Sequence, residues 1–198
     1  MAFTRTDPAV NPVSLIEAKR HLAVDHDDDN DYIERLVKGA RKKLEDYTNR
    51  VFATSTVTAT YEDFPRQPCD YTDGIAAIRL PLWPVASVTS VKYYNASGTL
   101  TTLTVTTDYL TYLARTPALI YPAPTAVWPQ VQFQRMGRVQ VIFVAGVDTA
   151  IDLGRVAMLQ MVGYWYGRKG DDNANQAEEG IPPAAMSIMN DLRRPMYE

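Results

Sequence analysis

Cysteine is nearly absent from this chain. Cys69 stands alone among 198 residues, so no internal disulfide can form and a reducing compartment is expected. It lies between Pro68 and Asp70 with no base or orienting third group beside it, so no nucleophilic pair is recognisable. Histidine is scarce too: His21 and His26 stand without a neighbouring cysteine, short of the three or four ligands zinc requires. There is no basic excess. Twenty Lys and Arg face 23 Asp and Glu, and the net charge of -3 gives no overall attraction to nucleic acid. No apolar run is long enough to span a bilayer, and the N-terminus lacks the apolar core of a signal peptide. Neither a Gly-x-x-x-x-Gly-Lys phosphate loop nor a Gly-x-Ser-x-Gly elbow occurs. No catalytic residue, cofactor site or metal site is therefore assigned.

What is present is a folding pattern. Hydrophobic residues make up 46%, which indicates a globular chain, and the length suits one core or a core with a subdomain. Residues 14–52 read as a short helix, an acidic turn and a long helix. Ser14 with Glu17 three residues on forms a capping box, and Leu15, Ala18 and Leu22 make one apolar stripe. Ile33, Leu36, Val37, Ala40, Leu44 and Tyr47 continue at helical spacing. Glu34, Arg35, Lys38, Arg41, Lys42 and Glu45 are expected on the opposite, solvated face; the basic patch Arg41, Lys42 and Lys43 reads first as part of that solvated face and second as a contact for an acidic partner surface.

The turn between these helices alternates Asp25, Asp27, Asp29 and Asp31 like the opening of a calcium loop. An EF-hand needs glycine at the sixth place and glutamate at the twelfth. Counting from Asp25 those places hold Asn30 and Leu36; counting from Asp27 they hold Tyr32 and Lys38. The motif fails, and the aspartates are expected to cap the long helix and meet its positive end.

Residues 1–12 are expected to form a loose arm. From Thr54 the composition turns β-branched, and short strands follow at 54–61, 77–80, 88–94, 99–105, 109–113, 118–121 and 139–145. Asn95 to Gly98 marks a hairpin turn. Helical period resumes near Asp148, with Asp148 or Thr149 as cap, and Ile151–Gly167 is apolar almost all round, so cover on several sides is expected. A polar linker, Arg168–Gly180, precedes Pro182, Pro183 and a short helix ending at Pro195. The expected fold is α+β: a helical bundle formed by 1–53 with 148–198, and an inserted antiparallel β subdomain at 54–147.

Ser-Leu-x-Glu-Ala-Lys-x-His-Leu, the Asp-rich turn, and a helix ending Glu-Asp-Tyr-Thr-Asn-Arg resemble the start of the head–tail connector (adaptor) proteins of long-tailed bacteriophages and related gene transfer agents. Pro81-Leu-Trp-Pro-Val, Gly137-Arg-Val-Gln-Val, Gly163-Tyr-Trp-Tyr-Gly-Arg and the closing Pro182-Pro-Ala…Leu-Arg-Arg resemble later blocks in the correct order. The linker at 171–180 is longer than the commonest pattern. The resemblance implies a structural virion protein of the neck: a ring, typically dodecameric, under the portal, extending the DNA channel without binding DNA specifically and receiving the next neck or tail-completion protein.

Arg193, Arg194, Met196 and Tyr197 are the candidate partner-binding residues, since the tail combines carboxylate-binding forks with apolar contact. Arg41, Lys42, Tyr164 and Trp165 are the candidate subunit-interface residues. Two readings of other classes stand beside the connector. The β subdomain could be a ligand- or glycan-binding module, which exposed aromatics on one sheet face would favour. A hydrolase built from distant carboxylates has no supporting motif.

Overall fold

The computed structural model describes residues 1–8, 10–67, 74–146, 151–169 and 180–193. The chain divides into two compact units, 1–8 with 54–147 and 9–53 with 148–198. The architecture is mixed α and antiparallel β.

In the helical unit, α1 spans Leu15–Leu22 and α2 spans Asn30–Thr48. Ser14 Oγ accepts the Glu17 amide at 3.2 Å, so the first half of the capping box forms. Helix α1 ends where Ala23 turns left-handed and its amide returns to the Arg20 carbonyl. Helix α3, Ile151–Tyr166, and α4, Pro183–Leu192, complete the unit as described. The proposed caps Asp148 and Thr149 lie outside the described residues, as does most of the linker before α4.

The core of this unit joins residues far apart in sequence. Ala18 comes from α1, Ile33, Val37, Ala40 and Leu44 from α2, Met158, Met161 and Val162 from α3, and Met189 and Leu192 from α4. Phe52, just past α2, is buried with them, and a Cβ on Gly154 would stand only 2.7 Å from its ring. Leu36, Tyr47 and Leu159 are partly buried and pack against this core. The α2 stripe thus faces inward as its period predicts.

Arg41 and Glu45 depart from the expected solvated face. Each is less than 10% exposed. Arg41 Nε stands 3.8 Å from Glu45 Oε2, and Arg41 Nη1 donates to Asn11 Oδ1 at 2.9 Å. Glu45 Oε1 accepts the amides of Phe52 and Ala53 at 2.8 and 3.4 Å. A charge enters the interior when opposite charge and hydrogen bonds replace its water, and both do so here.

In the β unit, β1 is Ala2–Arg5, β2 Ser55–Tyr61, β3 Ile78–Arg79, β4 Val85–Tyr94, β5 Leu100–Leu103, β6 Tyr109–Tyr112, β7 Leu119–Pro122 and β8 Val139–Ala145. Among the described residues these form a five-stranded sheet ordered β1-β2-β8-β4-β5 and a three-stranded sheet ordered β3-β7-β6, with antiparallel ladders. The central strand β8 alternates strictly: Val139, Val141, Phe143 and Ala145 are buried. Its neighbour matches in register, with Val57 opposite Phe143 and Ala59 opposite Val141. Strand β4 carries register shifts between Val85 and Ser87 and between Val88 and Ser90, so its alternation slips and Val91 is the next deeply buried residue.

The loose arm is corrected: residues 2–5 form the edge strand β1, with Ala2 opposite Thr60 and Arg5 opposite Val57. Arg5 Nε also donates to Ser55 Oγ at 2.7 Å. A four-residue strand with no alternation carries little local signal. Its stability comes from a ladder with distant residues.

Candidate interaction surfaces

In the acidic turn two carboxylates, Asp27 and Asp29, are engaged within the unit. Asp29 occupies the N-cap position of α2 but makes no side-chain cap bond. Its Oδ2 accepts the Tyr166 hydroxyl at 2.7 Å and its Oδ1 accepts Lys169 Nζ at 2.5 Å. Lys169 also lies over the Tyr32 ring, 5.3 Å from its centre. Asp27 Oδ1 accepts from Lys19 Nζ at 2.7 Å and Asn30 Nδ2 at 3.1 Å. The capping role expected of Asp29 is therefore corrected. Its side chain clasps the end of α3, because a bond to an ammonium is stronger than one to an amide. Glu17 likewise reaches across, taking Arg155 Nη2 at 2.8 and 2.9 Å.

These clasps have a pH signature. The hydrogen bond from Lys169 holds the Asp29 carboxyl below its ordinary 3.8, and the bond from Lys19 does the same for Asp27. A carboxyl lowered on folding contributes stability that is present above 3.8 and disappears as pH falls through the lowered folded value. The bond to Asp29 raises Tyr166 and Lys169 above their ordinary 10.0 and 10.5, so their contributions are present below those values and vanish as pH rises through the raised ones. Asp29→Asn is expected to flatten the acid limb of a urea-unfolding series between about pH 5 and 2. An acid limb as steep as in the unchanged protein would contradict the clasp.

The four candidate subunit-interface residues are not brought together as one surface. Arg41 is buried inside its own unit, with Nη1 donating to Asn11, so it offers no exposed guanidinium, whereas Lys42 is exposed. Trp165 is half-buried: its Nε1 donates to the Gly180 carbonyl, and its ring edge lies over Gly39. Tyr164 is half-buried on α3, with the Arg168 guanidinium 4.1 Å above its ring.

Of the candidate partner-binding residues, Arg193 is exposed and stands 5.2 Å over the Tyr47 ring. Tyr47 donates to Asn190 Oδ1 at 2.5 Å, and Ala185, Met189 and Leu192 are buried. Helix α4 up to Leu192 therefore closes the helical core. Arg194, Met196 and Tyr197 lie outside the described residues, as does Cys69.

Two features escaped sequence reading. On α3, Leu153 and Val156 are 52% and 45% exposed, although that helix was expected to be covered on several sides. In the β unit, the turn at 133–136 holds Phe133 and Met136 in solvent, each 82% exposed. The stems of that turn are fixed by Gln132 N to Tyr94 O and Tyr94 N to Arg138 O, both at 2.9 Å. Gln134 and Gly137 take the positive φ angles the reversal needs. Exposed apolar residues mark contact surfaces when they cluster.

In the β unit the exposed aromatics are Phe3, Tyr112 and Phe133 among the described residues, on β1, on β6 and in the 133–136 turn. Trp128 is buried, stacked on Phe64 at 4.6 Å, and donates to the Ala76 carbonyl at 2.7 Å. Tyr93 meets Phe64 edge-on, and Arg135 covers the Tyr94 ring at 3.5 Å. No helix among the described residues is long and apolar enough to cross a membrane.

A family model, the Phage gp6-like head-tail connector protein, matches residues 12–80. No curated protein matches in sequence. Solved structures match over the whole length. A chain of the virion of a native gene transfer agent (GTA) particle is similar with TM-score 0.74 and 17% identity, covering 100% of this chain and 98% of that one. A chain of the neck of a native GTA particle computed with C12 symmetry gives 0.72 and 18% with the same coverage. One from the neck of an empty GTA particle computed with C6 symmetry gives 0.71 and 18%. At this identity the structural likeness shows a shared fold. The resemblance read from residues 14–52 is borne out by the family match, which begins at the same helix.

Proposed function

We propose that this chain is a head–tail connector without catalytic activity. It forms a ring under the portal of a DNA-filled head, extends the channel and receives the next neck or tail-completion protein. The observation that carries the reading is the likeness of the whole chain, helical and β units together, to chains of neck assemblies, one of them computed with twelvefold symmetry. A net charge of -3 suits a wall past which phosphates slide, since a basic wall would hold them. The candidate docking tail is Arg193 with Arg194, Met196 and Tyr197, placed just past the last core residue, Leu192.

Electron microscopy of the purified protein is expected to show closed rings. A protein that stays monomeric at every accessible concentration would overturn the ring. For the tail, removal of residues 194–198 spares Leu192 and the core. It is expected to leave rings intact and to abolish binding to the portal. Unchanged portal binding by the shortened protein would remove the tail from the docking surface.

A further inference from the structure

The outward face of α3 is apolar where a solvated helix would be charged. Leu153, Val156, Gln160, Tyr164 and Gly167 recur at steps of three and four, so they share one side of the helix. From Leu153 to Tyr164 this stripe runs about 16 Å at 1.5 Å per residue. Leu153 and Val156 are among the exposed large hydrophobic residues, and Tyr164 carries Arg168 above its ring. The polar member, Gln160, has its Oε1 shielded from water with no donor among the described residues. A donor from another molecule would remove that cost after rotation of the amide. The opposite side of α3, through Ala157, Met158, Met161 and Val162, is fully inside.

Elsewhere in the same unit a shallow groove of about 510 Å³ is lined by Ile16, Lys19, Arg20, Ala23, Val24 and Asp25. Ile16 is 65% exposed. The Lys19 ammonium is held by Asp27 and Asn30, so along the groove its aliphatic stem is what remains available.

We infer that the α3 stripe of one copy docks in the α1 groove of the next, head to tail. The inference rests on the ring reading above and names the contact that would build it. A ring needs two different complementary patches on each copy, because a patch that meets itself closes as a dimer. The helical unit has an apolar stripe on α3 and a groove lined in part by Ile16 and Val24 along and just past α1. Tyr164 and Arg168 have the chemistry of interface anchors at the stripe's end.

The test uses Val156→Lys and Ile16→Lys in the full chain. Both positions are exposed, so folding is expected to be unchanged, and circular dichroism melting checks it. The unchanged protein is expected to assemble in sedimentation velocity. Each variant should need a concentration at least about tenfold higher, since a lysine at an apolar contact removes an anchor. Mixing the two variants gives the decisive outcome. The intact stripe of the Ile16→Lys protein can meet the intact groove of the Val156→Lys protein, so the mixture should form heterodimers and stop there. Assembly of Val156→Lys at the ordinary concentration overturns the inference and leaves the ring standing. Absence of heterodimers overturns the pairing of stripe with groove. Failure of the unchanged protein to assemble overturns the ring reading itself. Should Val156→Lys melt early, Val156→Cys in a Cys69→Ser background replaces it. Its maleimide labelling should slow about tenfold on assembly, and equal rates in monomer and assembly sink the inference.

Discussion

Glu45→Ala is expected to destabilise the helical unit by about 3–5 kcal/mol, the range for breaking one side of a buried charge pair. The loss has two parts. Arg41 would remain buried with its carboxylate neighbour gone. The amides of Phe52 and Ala53 would lose the oxygen that accepts both of them just past the end of α2. Glu45→Gln keeps an amide oxygen at the same place and should cost less. Arg41→Met breaks the other side of the pair and leaves the Glu45 carboxylate buried, so its cost should be comparable although the two amides keep their acceptor. Urea unfolding followed by circular dichroism measures all three. A Glu45→Ala loss under about 1 kcal/mol would show that the carboxylate is solvated in solution.

The second large effect lies one turn of chain further on. Phe52→Ala is expected to cost about 3–5 kcal/mol, as large aromatic truncations in a closed core do. The ring is 1% exposed and lies against the backbone of α3 at Gly154. The converse change, Gly154→Ala, would push a methyl to within 2.7–2.8 Å of the ring and should cost about 1–3 kcal/mol. The two sites are coupled: in a Phe52→Ala background the Gly154→Ala cost should shrink or reverse, because the methyl enters the vacated space. Strict additivity in the double-mutant cycle would mean that the ring does not rest on Gly154.

The two helices of residues 14–52 were legible because charge and apolar character alternate there with the helical period. The same rule misplaced Arg41 and Glu45. Hydropathy scores each residue alone, whereas these two enter the interior as a pair, with Asn11 and the chain past α2 as further partners. Helix α3 defeated the rule differently. With apolar residues on every side it has no periodic face, so nothing in its sequence tells Met158, which is buried, from Val156, which is not. The strands between Thr54 and Ala145 were readable from β-branched composition and turn residues. Strand β1 was not, since its only signal is a partner ladder at residues 57–60. In the acidic turn the partners of Asp29, Tyr166 and Lys169, lie beyond any local pattern.

The chain passes between its two units three times: after residue 8, after 53 and after 147. This ordering governs how a ribosome can make the protein. The central strand β8 of the large sheet is not synthesised until residue 145, so β1 and β2 must wait through most of translation for the sheet to be completed. Helices α1 and α2 emerge early but cannot bury their stripes until α3 and α4 arrive near the end. Neither core can close before residue 145 has been made, and both depend on contacts of long sequence separation, the kind that slow folding and leave apolar surface open to aggregation. Nascent chains stalled before residue 145 should therefore be protease-sensitive throughout, with protection of the β unit arriving once β8 has emerged and that of the helical unit only after α4.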